Sequence, residues 1–264
     1  MRALALAAVL AVSSPAAYLA AHERPDGGFA EAGQSSDPTL TAWAVLGLAA
    51  AGKAPGNAAA YLRSQPVKTT ADVALRVLAL RALGQDAGAL IVRLEHARRP
   101  SGRIGPLVDT TIWSVLALRS AGRPAGKATI PYLLRQQRSS GGWAWYPQGA
   151  PDSNDTAAAI EALRSAGVHG RSIRRGLSYL LRLRNRDGGF SLIRGRASDS
   201  ESTAWSIQAF AAAGRTAPKS AFRFLRRMRR PDGSYRYSKQ YTITPVFVTA
   251  QVLPALMRKP FPLK

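Results

Sequence analysis

The chain has 264 residues, 46% hydrophobic and 8% aromatic, which suits one or two packed domains and excludes the disordered class. Its 37 Lys and Arg against 15 Asp and Glu give a formal net charge of +22, a field that attracts nucleic acid, anionic lipid and acidic polymers. Cysteine is absent, and His22, His96 and His169 share no ligand-like spacing, so disulfides, thiolate chemistry, a metal centre and a cofactor are not expected.

The chain opens with Arg2, an apolar run over residues 3–12 and the small residues Ser13, Ser14, Pro15, Ala16 and Ala17. This pattern predicts a secretory signal peptide over residues 1–16, and hence a secreted or extracytoplasmic protein at the cell surface or in the periplasm. The alternative is a buried first helix. Tyr18-Leu19 already belongs to the repeat that fills residues 17–264.

Six segments follow in which a small or β-branched residue opens an apolar helix. Their anchors, Thr41, Val73, Thr111, Thr156, Thr203 and Thr249, lie 32, 38, 45, 47 and 46 residues apart. The first five end at Gly52, Gly84, Gly122, Gly167 and Gly214, the left-handed helix stop, and the sixth ends near Pro260. Ahead of these helices lie basic amphipathic ones, such as Tyr132-Leu133-Leu134-Arg135 and Phe224-Leu225-Arg226-Arg227. Their arginines, crowded into residues 171–186 and 223–230, read as a solvated outer face, so nucleic acid is not expected as a partner. A Gly-aromatic turn joins the two types at Gly28-Phe29, Gly142-Trp143, Gly189-Phe190 and Gly233-Ser234-Tyr235. An apolar inner layer inside an amphipathic outer layer predicts an all-α fold, an α6/α6 toroid of six helix-pair repeats, with an open superhelical array as its rival.

Lys127-Ala128, Tyr132-Leu133, Gln137 and Gly141-Gly142-Trp143 resemble the Gln–Trp repeat of the terpenoid cyclases. The chain is thus similar to the α/α-toroid superfamily of squalene and hopene cyclases, prenyltransferase β-subunits and cobalamin-carrier toroids. The other turns depart from the pattern: Arg184, Arg229 or Glu23 replaces Gln, and Phe190, Tyr235 or Phe29 replaces Trp. Class II cyclases use an Asp-x-Asp-Asp-Thr motif whose middle Asp is the acid. Here residues 152–156 read Asp152-Ser153-Asn154-Asp155-Thr156, with an amide at that place. The two-barrel architecture of squalene-type cyclases also exceeds this length. The prenyltransferase site needs a cysteine ligand that the chain lacks.

Asp152 and Asp155 remain the candidate catalytic pair. Asp37, Asp109 and Asp199 precede inner helices in the same way, and helix capping explains such residues too. In a toroid these helix starts gather on one rim, where a ligand would meet them. Trp143, Trp145 and Tyr146 form an aromatic run there, and Trp43, Trp113 and Trp205 recur at equivalent inner-helix positions, where core packing is the ordinary role. These expectations define a monomeric, non-catalytic module that binds an apolar or macrocyclic ligand, isoprenoid or corrinoid, at the rim. The alternatives are a cyclase-type enzyme using Asp152 or Asp155 and a basic scaffold docking on anionic envelope polymers or lipids.

Overall fold

A computed structural model describes residues 14–263. In chain order its helices are α1 (Pro15–Ala20), α2 (Pro38–Ala50), α3 (Ala58–Ser64), α4 (Thr70–Ala82), α5 (Gly88–His96) and α6 (Val108–Ser120). They continue as α7 (Thr129–Arg135), α8 (Ser153–Ser165), α9 (Arg171–Arg182), α10 (Ser200–Ala212), α11 (Lys219–Met228) and α12 (Pro245–Leu256). Among the described residues there is no strand, and no helix is long and apolar enough to cross a membrane.

The even-numbered helices form a closed ring. Helix α2 packs against both α4 and α12, and α6, α8 and α10 complete the circuit, with the odd-numbered helices outside. The fold is therefore a closed toroid and not an open array. The outer helices keep one greasy stripe: in α11, Ala221, Phe224, Leu225 and Met228 are buried while Arg226 and Arg227 face water.

Local chemistry explains the repeat. The plug residue of each Gly-aromatic turn donates its backbone N–H to the anchor threonine: Phe29 to Thr41 at 2.8 Å, Trp143 to Thr156 at 2.9 Å, Phe190 to Thr203 at 2.9 Å and Tyr235 to Thr249 at 2.9 Å. Ile104 makes the same bond to Thr111 at 3.0 Å, an aliphatic plug that an aromatic pattern passes over. A Cβ at Gly142 would sit 2.7 Å from Pro151 and 2.9 Å from the Tyr179 ring, so only glycine lets this turn close. The predicted stop is present at Gly167, φ 85°; Arg258 takes the corresponding left-handed place after α12 at φ 52°, a conformation costly for a residue with a Cβ.

The ring is locked at its seam. Three rim loops cap a neighbouring inner helix through a carbonyl: Trp145 O accepts from Val108 N, Leu192 O from Ser153 N and Tyr237 O from Ser200 N. Helix α12 has no side-chain cap of its own. Instead Glu31, more than two hundred residues away, accepts from Val246 N at 3.1 Å and Phe247 N at 3.0 Å.

Two features of the fold concern the termini. Most of the leader assigned to residues 1–16 lies outside the described residues, but its end does not. Ser14 Oγ accepts from Ala17 N at 3.0 Å and caps α1, with Pro15 at the first helical position. The small residues that resemble a cleavage site thus also start the first helix, and the boundary at residue 16 cuts through it. At the other end, residues beyond α12 fold back into the ring. Phe261 is 3% exposed, and its N–H donates to Glu161, a wholly buried carboxyl on α8. Burial pushes Glu161 well above the usual carboxylate range, offset in part by that hydrogen bond.

Candidate functional site

The inner helices start on one rim, and the position two residues ahead of each anchor is held by Thr39, Ala71, Asp109, Asn154, Glu201 and Phe247, of which Thr39, Glu201 and Phe247 line a cavity at the mouth. The tryptophans four residues further on close the channel below. Trp43, Trp113 and Trp205 meet edge to face with ring centroids 5.4, 5.7 and 5.4 Å apart, and Phe261 packs beneath all three. Such pairs contribute about 0.5–1.5 kcal/mol each beyond their buried area. The three tryptophans are thus the floor of the mouth and leave no deep aromatic chamber.

Between the starts of α2, α10 and α12 lies a cavity of about 740 Å³, lined by Leu40, Tyr237, Ile243 and Phe247 with Glu31, Asp37 and Glu201 and several hydroxyl and amide side chains. Of the residues singled out in the sequence, only Asp37 lies on this wall, where it also caps α2 by accepting from Leu40 N at 2.7 Å. Glu201, Tyr237, Ile243, Phe247 and Glu31 were missed, although the register of Asp109 and Asn154 also points to Glu201 and Phe247. Trp143 stands apart: it has no exposed surface, and its indole N–H donates to Leu133 O at 2.8 Å within the wall. Trp145 and Tyr146 are more than half exposed on the rim loop that caps α6.

The structure brings Asp109, Asp152 and Asp155 together. Asp152 caps α8 by accepting from Asp155 N at 2.8 Å, and Asp155 sits one turn in. The Asp155 carboxyl hydrogen-bonds those of both Asp152 and Asp109. Asp109 also accepts from the Trp113 indole at 2.7 Å. Burial first, and then the charges of Asp152 and Asp109, push Asp155 up to about 10. Burial raises Asp109 and Asp152 as well, eased by the hydrogen bond from Asp155. No cation offsets Asp155, so at neutral pH the cluster keeps its proton there. Asn154, at the motif's acid place, accepts only from the Ser153 hydroxyl at 3.0 Å among its side-chain bonds.

A second titrating pair flanks the cavity. Asp199 caps α10 and is raised to about 6 by burial; Glu201 is raised to about 7 by burial and the charge of Asp199. Burial and these two charges push Tyr237 up to about 12. Among the described residues no group of His, Cys, Asp and Glu side chains is arranged to hold a metal ion.

No protein-family model matches the chain, and no curated protein matches it. Solved structures do. A variant of the type II terpene cyclase MstE from Scytonema, in complex with geranylgeranyl dihydroxybenzoate, matches at 16% identity and TM-score 0.73, over 92% of this chain and 95% of that one. A protein from Actinoplanes matches at 19% identity and TM-score 0.69, over 92% of this chain and 97% of that one. The ent-copalyl diphosphate synthase from Streptomyces platensis matches at 23% identity and TM-score 0.62, over 84% of this chain but 50% of the synthase. The fold is the terpenoid-cyclase-like α/α toroid. MstE also corrects the length objection to a cyclase, because nearly the whole of a type II cyclase chain is matched by one toroid of this size.

Proposed function

We propose that the protein binds an apolar, isoprenoid-like small molecule in the rim mouth, outside the cytoplasm, without converting it. The observation that carries this is the cavity of about 740 Å³ walled by Leu40, Tyr237, Ile243 and Phe247, whose Phe247 ring also meets Trp43 edge to face. An apolar chain would cover these walls, and Glu201, raised to about 7, would donate a hydrogen bond to its polar end while it holds its proton. MstE, seen in complex with geranylgeranyl dihydroxybenzoate, offers a parallel for the ligand class. Titration with geranylgeraniol, followed by the emission of the tryptophans below the mouth, tests the proposal. Saturable quenching that Phe247→Asp weakens at least tenfold supports it. Equal responses of wild type and variant would sink it.

Acid-initiated cyclisation is the second reading, favoured by the proton held on Asp155. It would require Asp155 to protonate a terminal alkene, forming a carbocation beside the Trp113 ring. A group raised to about 10 keeps its proton but gives it up reluctantly, which suits hydrogen-bond donation better than alkene protonation. Incubation with linear isoprenoids decides: a cyclised product made by wild type and lost in Asp155→Asn would replace the binding reading with this one.

A further inference from the structure

We infer that the rim mouth selects an apolar ligand whose polar end is an ammonium group, and turns away a diphosphate. The inference rests on the binding reading above and names the head group that the same cavity takes.

The cavity wall reverses the charge balance of the chain. Lys and Arg number 37 against 15 Asp and Glu, yet Glu31, Asp37 and Glu201 line the cavity and, among the described residues, no Lys or Arg does. The cations nearby in the chain are engaged elsewhere. Arg24 donates to Gln34 O at 3.0 Å without lining the cavity, and Lys239, on the loop that carries Tyr237, lies 3.9 Å from Asp187. Arg236, on the same loop, does not line the cavity either.

The three carboxyls are not equivalent. Both oxygens of Glu31 accept N–H groups of α12, and Asp37 Oδ1 accepts from Leu40 N. The Glu201 carboxyl makes no hydrogen bond or ion pair with a described residue, and burial and the charge of Asp199 are what act on it. In its charged form it lacks a partner, and a cation is the partner that a half-buried carboxylate requires. Tyr237 and Phe247 bring aromatic rings to the same cavity, the Phe247 ring held against Trp43 with centroids 6.3 Å apart. A carboxylate among aromatic rings suits an alkylammonium group. A diphosphate would set negative charge against three carboxyls with no cation to offset it.

An alkylamine keeps its proton up to about pH 10. Glu201, raised to about 7, gains its charge between pH 6 and pH 8, and Asp199, raised to about 6, adds charge in the same direction. An ammonium head therefore binds more tightly as pH rises, whereas a neutral alcohol loses the proton that Glu201 shared with it.

Titrations of the full chain with geranylgeranylamine, geranylgeraniol and geranylgeranyl diphosphate, read by tryptophan emission at pH 6 and pH 8, test the inference. At pH 8 the amine should bind on the order of tenfold more tightly than the alcohol, and the diphosphate roughly tenfold more weakly. From pH 6 to pH 8 the amine should tighten and the alcohol loosen. In Glu201→Gln the ratio of amine to alcohol affinity should fall severalfold and lose most of its pH dependence. The net charge of +22 attracts the diphosphate and repels the amine, so non-specific binding gives the opposite order. Equal binding of amine and alcohol at pH 8, tightest binding of the diphosphate, or an unchanged ratio in Glu201→Gln would each overturn the inference while saturable geranylgeraniol binding leaves the rim-mouth reading standing. Failure of all three to bind would remove both.

Discussion

Replacing Asp155 by Asn should stabilise the protein, by an amount that grows with pH. Asp155 is 8% exposed and is raised to about 10, with burial the largest cause. The unfolded side chain ionises near 3.9, so between about pH 4 and pH 10 the unfolded state binds fewer protons than the folded one, and stability falls as pH rises. At pH 7 keeping the proton costs about 4 kcal/mol, from 1.36 kcal/mol for each of roughly three pH units. An amide has no proton to lose and can still donate through Nδ2 to Asp152 or Asp109. The variant should therefore match wild type near pH 4 and melt roughly 10 °C higher at pH 7, at about 2–4 °C per kcal/mol for a chain of this size. Differential scanning fluorimetry from pH 4 to pH 8 measures this. A variant less stable than wild type at pH 7, or a difference that stays flat with pH, would refute the view of Asp155 as a buried, protonated carboxyl. A stability gain would also mark Asp155 as a residue kept at the expense of the fold, as functional sites often are.

Glu31→Ala should cost about 2–3 kcal/mol in urea unfolding, since two charge-assisted N-terminal bonds at the ring seam are lost, while Glu31→Gln should cost less. Thr156→Val leaves the buried Trp143 N–H without its acceptor and should cost roughly 1–3 kcal/mol by the same measurement. Binding of geranylgeraniol should weaken as pH rises through about 7, because Glu201 on the cavity wall then gains its charge. Glu201→Gln should flatten that profile in a fluorescence titration.

Much of the toroid is legible in the sequence because its devices are local. The anchor threonines, the turn glycines and the stop glycines each act within one repeat, and so recur at readable spacing. What escaped depends on distance or on fit. Glu31 reads as one more surface acid until it is seen across the seam on α12. Phe261 looks like a tail residue, and only the folded ring brings it beneath Trp43, Trp113 and Trp205. Equivalent register predicts that these tryptophans converge. Whether they line a chamber or fill it depends on the bore of the ring, which periodicity does not encode. The acid cluster shows the same limit: the sequence offered Asp152 and Asp155 as a pair and Asp109 as a cap, whereas the state of Asp155 follows from all three meeting in a dry rim.

A crystal structure of the protein soaked with geranylgeraniol addresses the rim mouth most directly. The isoprenoid should lie against Leu40, Tyr237, Ile243 and Phe247 with its hydroxyl turned toward the rim carboxyls and the tryptophan floor unmoved. An empty mouth at saturating ligand, or a chain threaded below the tryptophans in place of Phe261, would contradict the account.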